Sequence, residues 1–504
     1  MTTGRSAPPT VPADRVPVID RLGGALPALA PDRASEPAVV AGRETWSWAD
    51  LASIADATAS RFEVLGLSKG SRIGVVASDG PGFVATVHAA VRLGAVLVPL
   101  SRRAAAAELA ANVAAVGAPA VIFDDATESA VRGAASILGG TAPALIPIGQ
   151  VVGSGSVAGG RDPARSDPTD PATIIFTSGS TGRARPAILT RANHVASADA
   201  WAAFLAPRRS DRWLACLPFN HVGGLSILHR SVLWGVPLQL ADGFDPEAIW
   251  QVIARDGISH LSIVGSTLRR LVAAGDGRRP PPSLRAVLVG GESTPADAID
   301  AAIDLGFPIV PTYGATETAS GVAALPTADW PTHQGSSGRA LAGAEIRIVR
   351  EGTPSSAGEP GEVQVRGPMV FAGYLGYTVP PVDAGGWLST GDDGLLDADG
   401  YLTVLGRRDR RIISGGENVD PLEIEAVLRS HPGIADALVV GRPDARWGTV
   451  PVAIVVSRPG RDVADAVLEV YCRERMAAFK VPVAFERADR LPRAESGKVL
   501  RSGG

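Results

Sequence analysis

The chain has 504 residues, 45% hydrophobic and 20% charged, too long for one ordinary core and too apolar for a disordered chain, so at least two domains are expected. A net charge of −4 gives no electrostatic footprint for nucleic acid or an anionic membrane. The two cysteines, Cys216 and Cys472, lie far apart without metal-ligand spacing, which supports neither a disulfide framework nor a zinc site and fits a reducing, cytoplasmic setting.

Residues 1–14 contain Pro and Thr but no apolar run of signal-peptide length, and read as a loose lead-in. Ser47, with Asp50 three residues on, is an N-cap signal that opens an Ala-rich helix to about Leu65. Arg72-Ile73-Gly74-Val75-Val76-Ala77 reads as a buried strand. The apolar stretch 83–100 is interrupted by His88 and Arg92 and ends in Val-Pro-Leu, the pattern of a buried helix followed by a strand and not of a membrane span. Short apolar runs at Ala120-Val121-Ile122-Phe123 and Ala286-Val287-Leu288-Val289 alternate with helical segments, so an α/β fold of helix-covered parallel sheets is predicted. Residues 151–170 and 278–283 are loops on their Gly, Ser, Asp and Pro content. From Gly358 onward short strands, Glu362-Val363-Gln364-Val365-Arg366 and Tyr401-Leu402-Thr403-Val404-Leu405, predict a β-rich subdomain. A helix from about Pro421 to Arg429, strands at 437–440 and 452–456 and a helix over 464–476 then predict a small α+β domain.

The most informative stretch is Thr177-Ser178-Gly179-Ser180-Thr181-Gly182-Arg183-Ala184-Arg185-Pro186, directly after Thr173-Ile174-Ile175-Phe176. Glycines let backbone N–H groups turn toward a polyphosphate, hydroxyls add donors, and the arginines add positive charge. The spacing matches neither the Walker loop nor a dinucleotide fingerprint, and the composition by itself also suits a flexible linker.

Four further segments stand in a fixed order behind it: Tyr313-Gly314-Ala315-Thr316-Glu317, Ser389-Thr390-Gly391-Asp392, Gly406-Arg407-Arg408-Asp409 and Pro492-Arg493-Ala494-Glu495-Ser496-Gly497-Lys498. Together the five segments resemble the ANL superfamily of adenylate-forming enzymes, the acyl-CoA synthetases and their relatives, over nearly the whole chain. The resemblance implies a large N-terminal domain over 1–405, a hinge at 406–409 that pivots at Asp409, and a mobile C-terminal domain over 410–504. It implies that Thr177, Ser178, Gly179, Ser180, Thr181, Gly182 and Arg185 hold the phosphates of ATP. Gly290, Gly291, Glu292, Thr312, Tyr313 and Gly314 would line the adenine site, Thr316 would touch phosphate, Glu317 would hold Mg2+, and Asp392 and Arg407 would take the ribose. Lys498 would promote adenylation, and Gly415 and Gly416 would border the CoA tunnel, with Glu423 in the helix beyond. The family usually has Lys where Arg185 stands and Gly where Pro186 stands.

Phe219-Asn220-His221-Val222-Gly223-Gly224-Leu225-Ser226-Ile227-Leu228-His229-Arg230, with Ser262-Ile263-Val264-Gly265-Ser266-Thr267 and Thr318-Ala319-Ser320, resembles the o-succinylbenzoate:CoA ligases of menaquinone biosynthesis. That likeness implies an acid pocket lined by His221, Arg230, Thr267 and Gly314, in which Arg230 recognises the carboxylate that does not react. Gly321 stands where Gln is often found. The expected partners are therefore a small carboxylic acid, ATP and CoA, with no nucleic acid and no membrane span, and with a homo-oligomer left open. An acyl- or aryl-CoA synthetase for another acid, a stand-alone adenylation enzyme that loads a carrier protein, and a nucleotide-binding regulator without catalysis remain alternatives.

Overall fold

The computed structural model describes residues 21–23, 33–153, 166–177, 184–292, 294–379, 381–408, 412–414, 417–419, 421–444, 448–476, 480–493 and 499. It is an α/β protein with a large N-terminal part and a smaller C-terminal one.

Two mixed sheets dominate the large part. In one, Arg72–Val76, Val96–Pro99, Ala120–Phe123, Ala144–Pro147 and Pro171–Thr177 run parallel, then Arg185–Thr190 and Gly373–Tyr374 extend the sheet antiparallel. In the other, Trp213–Ala215, His260–Ile263, Ala286–Val289 and Ile309–Ala315 are parallel, and Ser320–Ala324 folds back antiparallel on the last of them. The expected parallel sheets are present, but both acquire antiparallel edges where the functional motifs fall. For Arg185–Thr190 and Ser320–Ala324 the physical reason is connection length: parallel neighbours need a long crossover, whereas a short loop turns the chain back antiparallel.

Strand alternation places Ala286 and Leu288 in one core and Val287 and Val289 in another, so the strand is buried on both faces and its unbroken apolar run is explained. The first of these cores joins residues of both sheets to the helices Trp48–Val64, Pro81–Leu93, Arg191–Leu205 and Val222–Trp234. The predicted start of the first helix is observed: the Ser47 hydroxyl accepts from Asp50 N, and the Asp50 carboxylate accepts from Ser47 N at 2.8 Å. Pro81–Leu93 begins with proline at its first turn and ends at Gly94 with φ of 72°, the left-handed stop that glycine allows.

The β-rich subdomain is an antiparallel sheet of Thr353–Pro354, Glu345–Arg350, Gly361–Arg366, Leu388–Leu396 and Leu402–Arg407. It starts earlier than the sequence suggests, at Glu345. Further on, Pro421–Arg429 is helical as predicted, whereas the two strands are longer, Ile434–Asp444 and Gly448–Ser457, and the last helix is shorter, Asp465–Arg473. Ile424, Leu428, Ala437, Val455 and Leu468 form a core of their own there. Cys216 and Cys472 are buried and unpaired, and among the described residues no helix is long and apolar enough to cross a membrane.

Candidate active site

The phosphate-loop stretch is carried by a hairpin. Thr177 pairs with Arg185, Phe176 with Pro186 and Ile175 with Ala187, and burial of Ala172, Ile174, Ile175, Ala187 and Leu189 fixes both strands. The Thr177 hydroxyl donates to Arg185 O at 3.3 Å. Ser178, Gly179, Ser180, Thr181 and Gly182 lie outside the described residues. Pro186 has no N–H, yet its carbonyl accepts from Leu375 N at 2.9 Å, so the strand leaving the loop is pinned on that side.

A second hairpin carries the Tyr-Gly-Ala-Thr-Glu motif. Ile309–Ala315 runs into a 3-10 turn, Thr316–Thr318, and returns as Ser320–Ala324. Gly314 is required by close approach, because a Cβ there would sit 2.1 Å from Ser320 O. Thr318 organises the turn: its hydroxyl accepts from Ala315 N at 2.9 Å and lies 3.0 Å from Ala315 O and 2.8 Å from Ser320 O. Ala319 and Ser320 have φ of 50° and 120°, backbone strain of about 1–3 kcal/mol each concentrated at this one turn. Gly290 meets the same strand, since a Cβ on it would lie 2.2 Å from Thr312 Oγ1. Glu292 accepts from Ser266 N at 2.6 Å, at the start of the helix Gly265–Ala274. Thr267 caps that helix, its hydroxyl accepting from Val264 N at 3.1 Å and lying 2.7 Å from Val264 O. The hydroxyl nominated for substrate is thus already engaged with backbone.

Asp392 is held from two sides. Tyr313 Oη donates to its Oδ2 at 2.7 Å, and Arg407 donates to its Oδ1 at 3.3 Å and to Thr390 O at 3.0 Å. Burial, then the neighbouring Asp392 charge, pushes the Tyr313 phenol well above its usual range, so it stays a donor. A carboxylate can accept several hydrogen bonds, which suits Asp392 to a donor pair such as a vicinal diol.

The acid-side motif opens the helix Val222–Trp234, with His221 at its N-cap and the His221 ring 3.5 Å from Asn220 Nδ2. Gly224 is sterically compelled, since a Cβ would approach Pro218 O to 2.3 Å. Two turns on, Arg230 is 2% exposed. Its guanidinium donates to Ser197 Oγ at 3.3 Å and lies over the rings of Trp201 and Trp213 at 5.3 and 6.0 Å. Its Nε is buried without a hydrogen-bond partner, and no ion pair to a carboxylate is formed among the described residues. Burial pulls its pKa down to about 9, which leaves it protonated at neutral pH. Ser197 in turn donates to Ala319 O at 2.9 Å, linking Arg230 to the strained turn beside Glu317. A Cβ on Gly321 would lie 2.6 Å from Trp201 Cζ2, so the indole fills the space that a side chain at 321 would need.

Lys498, Asp409, Gly415 and Gly416 lie outside the described residues. Three site residues were missed by sequence reasoning: Ser197 and Trp201 in the helix Arg191–Leu205, and Tyr374, whose Oη donates to Glu317 Oε1 at 2.5 Å. The first two carry no local signal, while Gly373-Tyr374 gives no strand-length run to mark it.

Thr177 and Arg185 bonded at the base of the hairpin, a carboxylate at the neighbouring turn and a Tyr-Asp-Arg set together suit the class of nucleotide-dependent activating enzymes. Family matches agree: the AMP-binding enzyme family matches residues 28–375, and the AMP-binding enzyme C-terminal domain matches residues 423–498. The chain belongs to the AMP-binding enzyme family. It is 37% identical to the 2-succinylbenzoate–CoA ligase of Geobacillus kaustophilus over 94% of each chain. It also resembles the o-succinylbenzoate CoA synthetase of Bacillus subtilis solved with the acyl-adenylate intermediate OSB-AMP, with TM-score 0.88 and 32% identity over 95% of this chain and 97% of that one. ATP-bound MatB from Rhodopseudomonas palustris shares the fold at TM-score 0.87 with 26% identity, over 96% of this chain and 97% of that one.

Proposed function

We propose that the chain adenylates o-succinylbenzoate with ATP and passes the acyl group to CoA, giving o-succinylbenzoyl-CoA, AMP and pyrophosphate in menaquinone biosynthesis. The observation that carries the substrate is Arg230, a buried cation with no carboxylate partner among the described residues. Two cation–π contacts return about 0.5–2 kcal/mol each, whereas a buried uncompensated charge costs several kcal/mol. A second carboxylate on the substrate offsets that deficit, and a monoacid does not. The 2-succinylbenzoate–CoA ligase and o-succinylbenzoate CoA synthetase relatives support the same acid.

In the first half-reaction the succinyl carboxylate attacks the α-phosphorus and pyrophosphate leaves. Asp392, oriented by Tyr313 and Arg407, holds the ribose hydroxyls, and the Tyr313 ring offers a face to adenine. Among the described residues no cluster of three or more His, Cys, Asp or Glu could hold a metal ion. Glu317, with one oxygen taken by Tyr374, fits Mg2+ shared with the nucleotide phosphates, since that ion prefers few protein ligands. Bound there, the ion supplies charge neutralisation on the phosphates. Lys498, carried by the 410–504 domain, bridges the carboxylate and the α-phosphate. Rotation about Asp409 then brings Gly415 and Gly416 to the thiol path, the thiol attacks the acyl carbonyl, and AMP departs. These water-borne substrates fit a cytoplasmic enzyme.

The test is thioester formation from ATP, Mg2+ and CoA, with o-succinylbenzoate, benzoate and a medium-chain fatty acid in parallel and products identified by mass. Selective o-succinylbenzoyl-CoA formation is expected; product from a monoacid alone contradicts the assignment.

A further inference from the structure

Segment 371–375 stitches the two functional hairpins together. Phe371 N donates to Glu317 O at 2.9 Å, Ala372 N to Ile188 O at 3.0 Å and Leu375 N to Pro186 O at 2.9 Å. Gly373 and Tyr374 pair with Ile188 and Ala187 of the strand that leaves the phosphate loop. Tyr374 therefore stands between Arg185 and the Glu317 turn, and both parts of its side chain are used. Its hydroxyl donates to Glu317 Oε1 at 2.5 Å, and its ring face lies 4.3 Å under the Arg185 guanidinium. Phe371 packs edge-on at 4.8 Å and Tyr377 lies 5.7 Å away, which restricts the ring. Among the described residues the Arg185 Nε is buried without a hydrogen-bond partner, and the Tyr374 face receives the guanidinium.

We propose that Tyr374 is a positioning residue that fixes the Glu317 carboxylate with its hydroxyl, leaving Oε2 for the metal, and carries Arg185 on its ring. A phenol bonded to one oxygen removes the rotational freedom of a lone carboxylate, which matters most where the protein offers a single metal ligand. A planar guanidinium stacks on an aromatic face better than an ammonium does, so Arg185 and Tyr374 act as a matched pair where the family usually has lysine. The inference rests on the assignment of Glu317 to Mg2+.

Calorimetric titration with ATP, run with and without Mg2+, tests it on Tyr374→Phe, Tyr374→Leu and Glu317→Gln, with thermal unfolding as a check on folding. Tyr374→Phe keeps the ring and loses the hydroxyl. It is expected to bind metal-free ATP within about twofold of wild type but to lose about tenfold in Mg-ATP affinity, with the Mg2+ requirement of adenylation raised correspondingly. Tyr374→Leu also removes the seat of Arg185, and is expected to weaken metal-free ATP as well. A folded Tyr374→Phe that binds Mg-ATP as wild type does overturns the hydroxyl's role, and a folded Tyr374→Leu with wild-type affinity for metal-free ATP overturns the ring's. If Glu317→Gln keeps the full Mg2+ effect, the metal assignment itself fails; if it loses the effect while Tyr374→Phe does not, only the inference about Tyr374 fails.

Discussion

Replacing Arg230 by methionine keeps bulk and removes charge, which separates what the residue costs the fold from what it does for the substrate. Exchanging an unpaired buried cation for an apolar side chain of similar size is expected to raise the stability of the ligand-free protein by about 1–4 kcal/mol. The same change is expected to lower kcat/KM for o-succinylbenzoate by roughly 10²- to 10³-fold, the effect of removing one partner of a buried charge pair. Denaturant unfolding and steady-state kinetics on one preparation check both signs, and a joint loss of stability and activity assigns Arg230 to the scaffold. At Gly321, introducing the Gln that the resemblance leads one to expect drives a Cβ to 2.6 Å from Trp201. Gly321→Gln is expected to destabilise by about 1–3 kcal/mol through overpacking, and pairing it with Trp201→Ala should return part of that loss in a double-mutant cycle. Gly314, Gly290 and Arg230 were marked as candidates by the resemblance, and at the two glycines the structure shows a close approach. Trp201 and Ser197 were not, because their importance arises from which helix faces which across the core.

The two hairpins are where sequence and structure part company. Apolar runs such as Ala286–Val289 announce themselves, since a strand buried on both faces must be continuously apolar. Arg185–Thr190 and Ser320–Ala324 carry Pro, Ser, Gly and Ala, poor strand formers held in place by their partners and by burial. The Ser47 cap was legible because its bonds are local, three residues apart. Loop-to-loop stitching through Tyr374 was not, because it joins residues 57 positions apart. At the element scale Thr318 is the sensitive point of the Glu317 turn. Thr318→Val keeps the shape but leaves Ala315 N without its acceptor, and is expected to cost about 1–3 kcal/mol locally. The measured consequence should be slower pyrophosphate release with both CoA and acid saturating; unchanged adenylation contradicts this account of the turn.

Across the whole molecule, four of the seven histidines, His88, His194, His229 and His260, are buried. Burial lowers His88 and His260 to about 4 and His194 to about 3, and holds His229 well below its usual value. Arg191 and Arg230 reinforce the effect at His194 and His229, while Asp211 opposes it at His260. Because the folded pKa values are depressed, the unfolded chain binds more protons once pH drops below about 6.5. Stability is therefore expected to be level with respect to these groups above that pH and to fall from pH 6.5 toward 4, by up to about 1.4 kcal/mol per pH unit for each histidine. Denaturant unfolding at pH 7.5 and 5.0 reads this directly, and equal stability at both contradicts it. The measurement that bears most directly on function compares o-succinylbenzoate with 4-oxo-4-phenylbutyrate, which lacks the ring carboxylate, on wild type and Arg230→Met. Wild type should favour the diacid by about 10²-fold or more in kcat/KM, and the variant should bring the ratio close to one. A variant that keeps the full preference for the diacid would contradict the role assigned to Arg230 and, with it, the reading of the acid pocket.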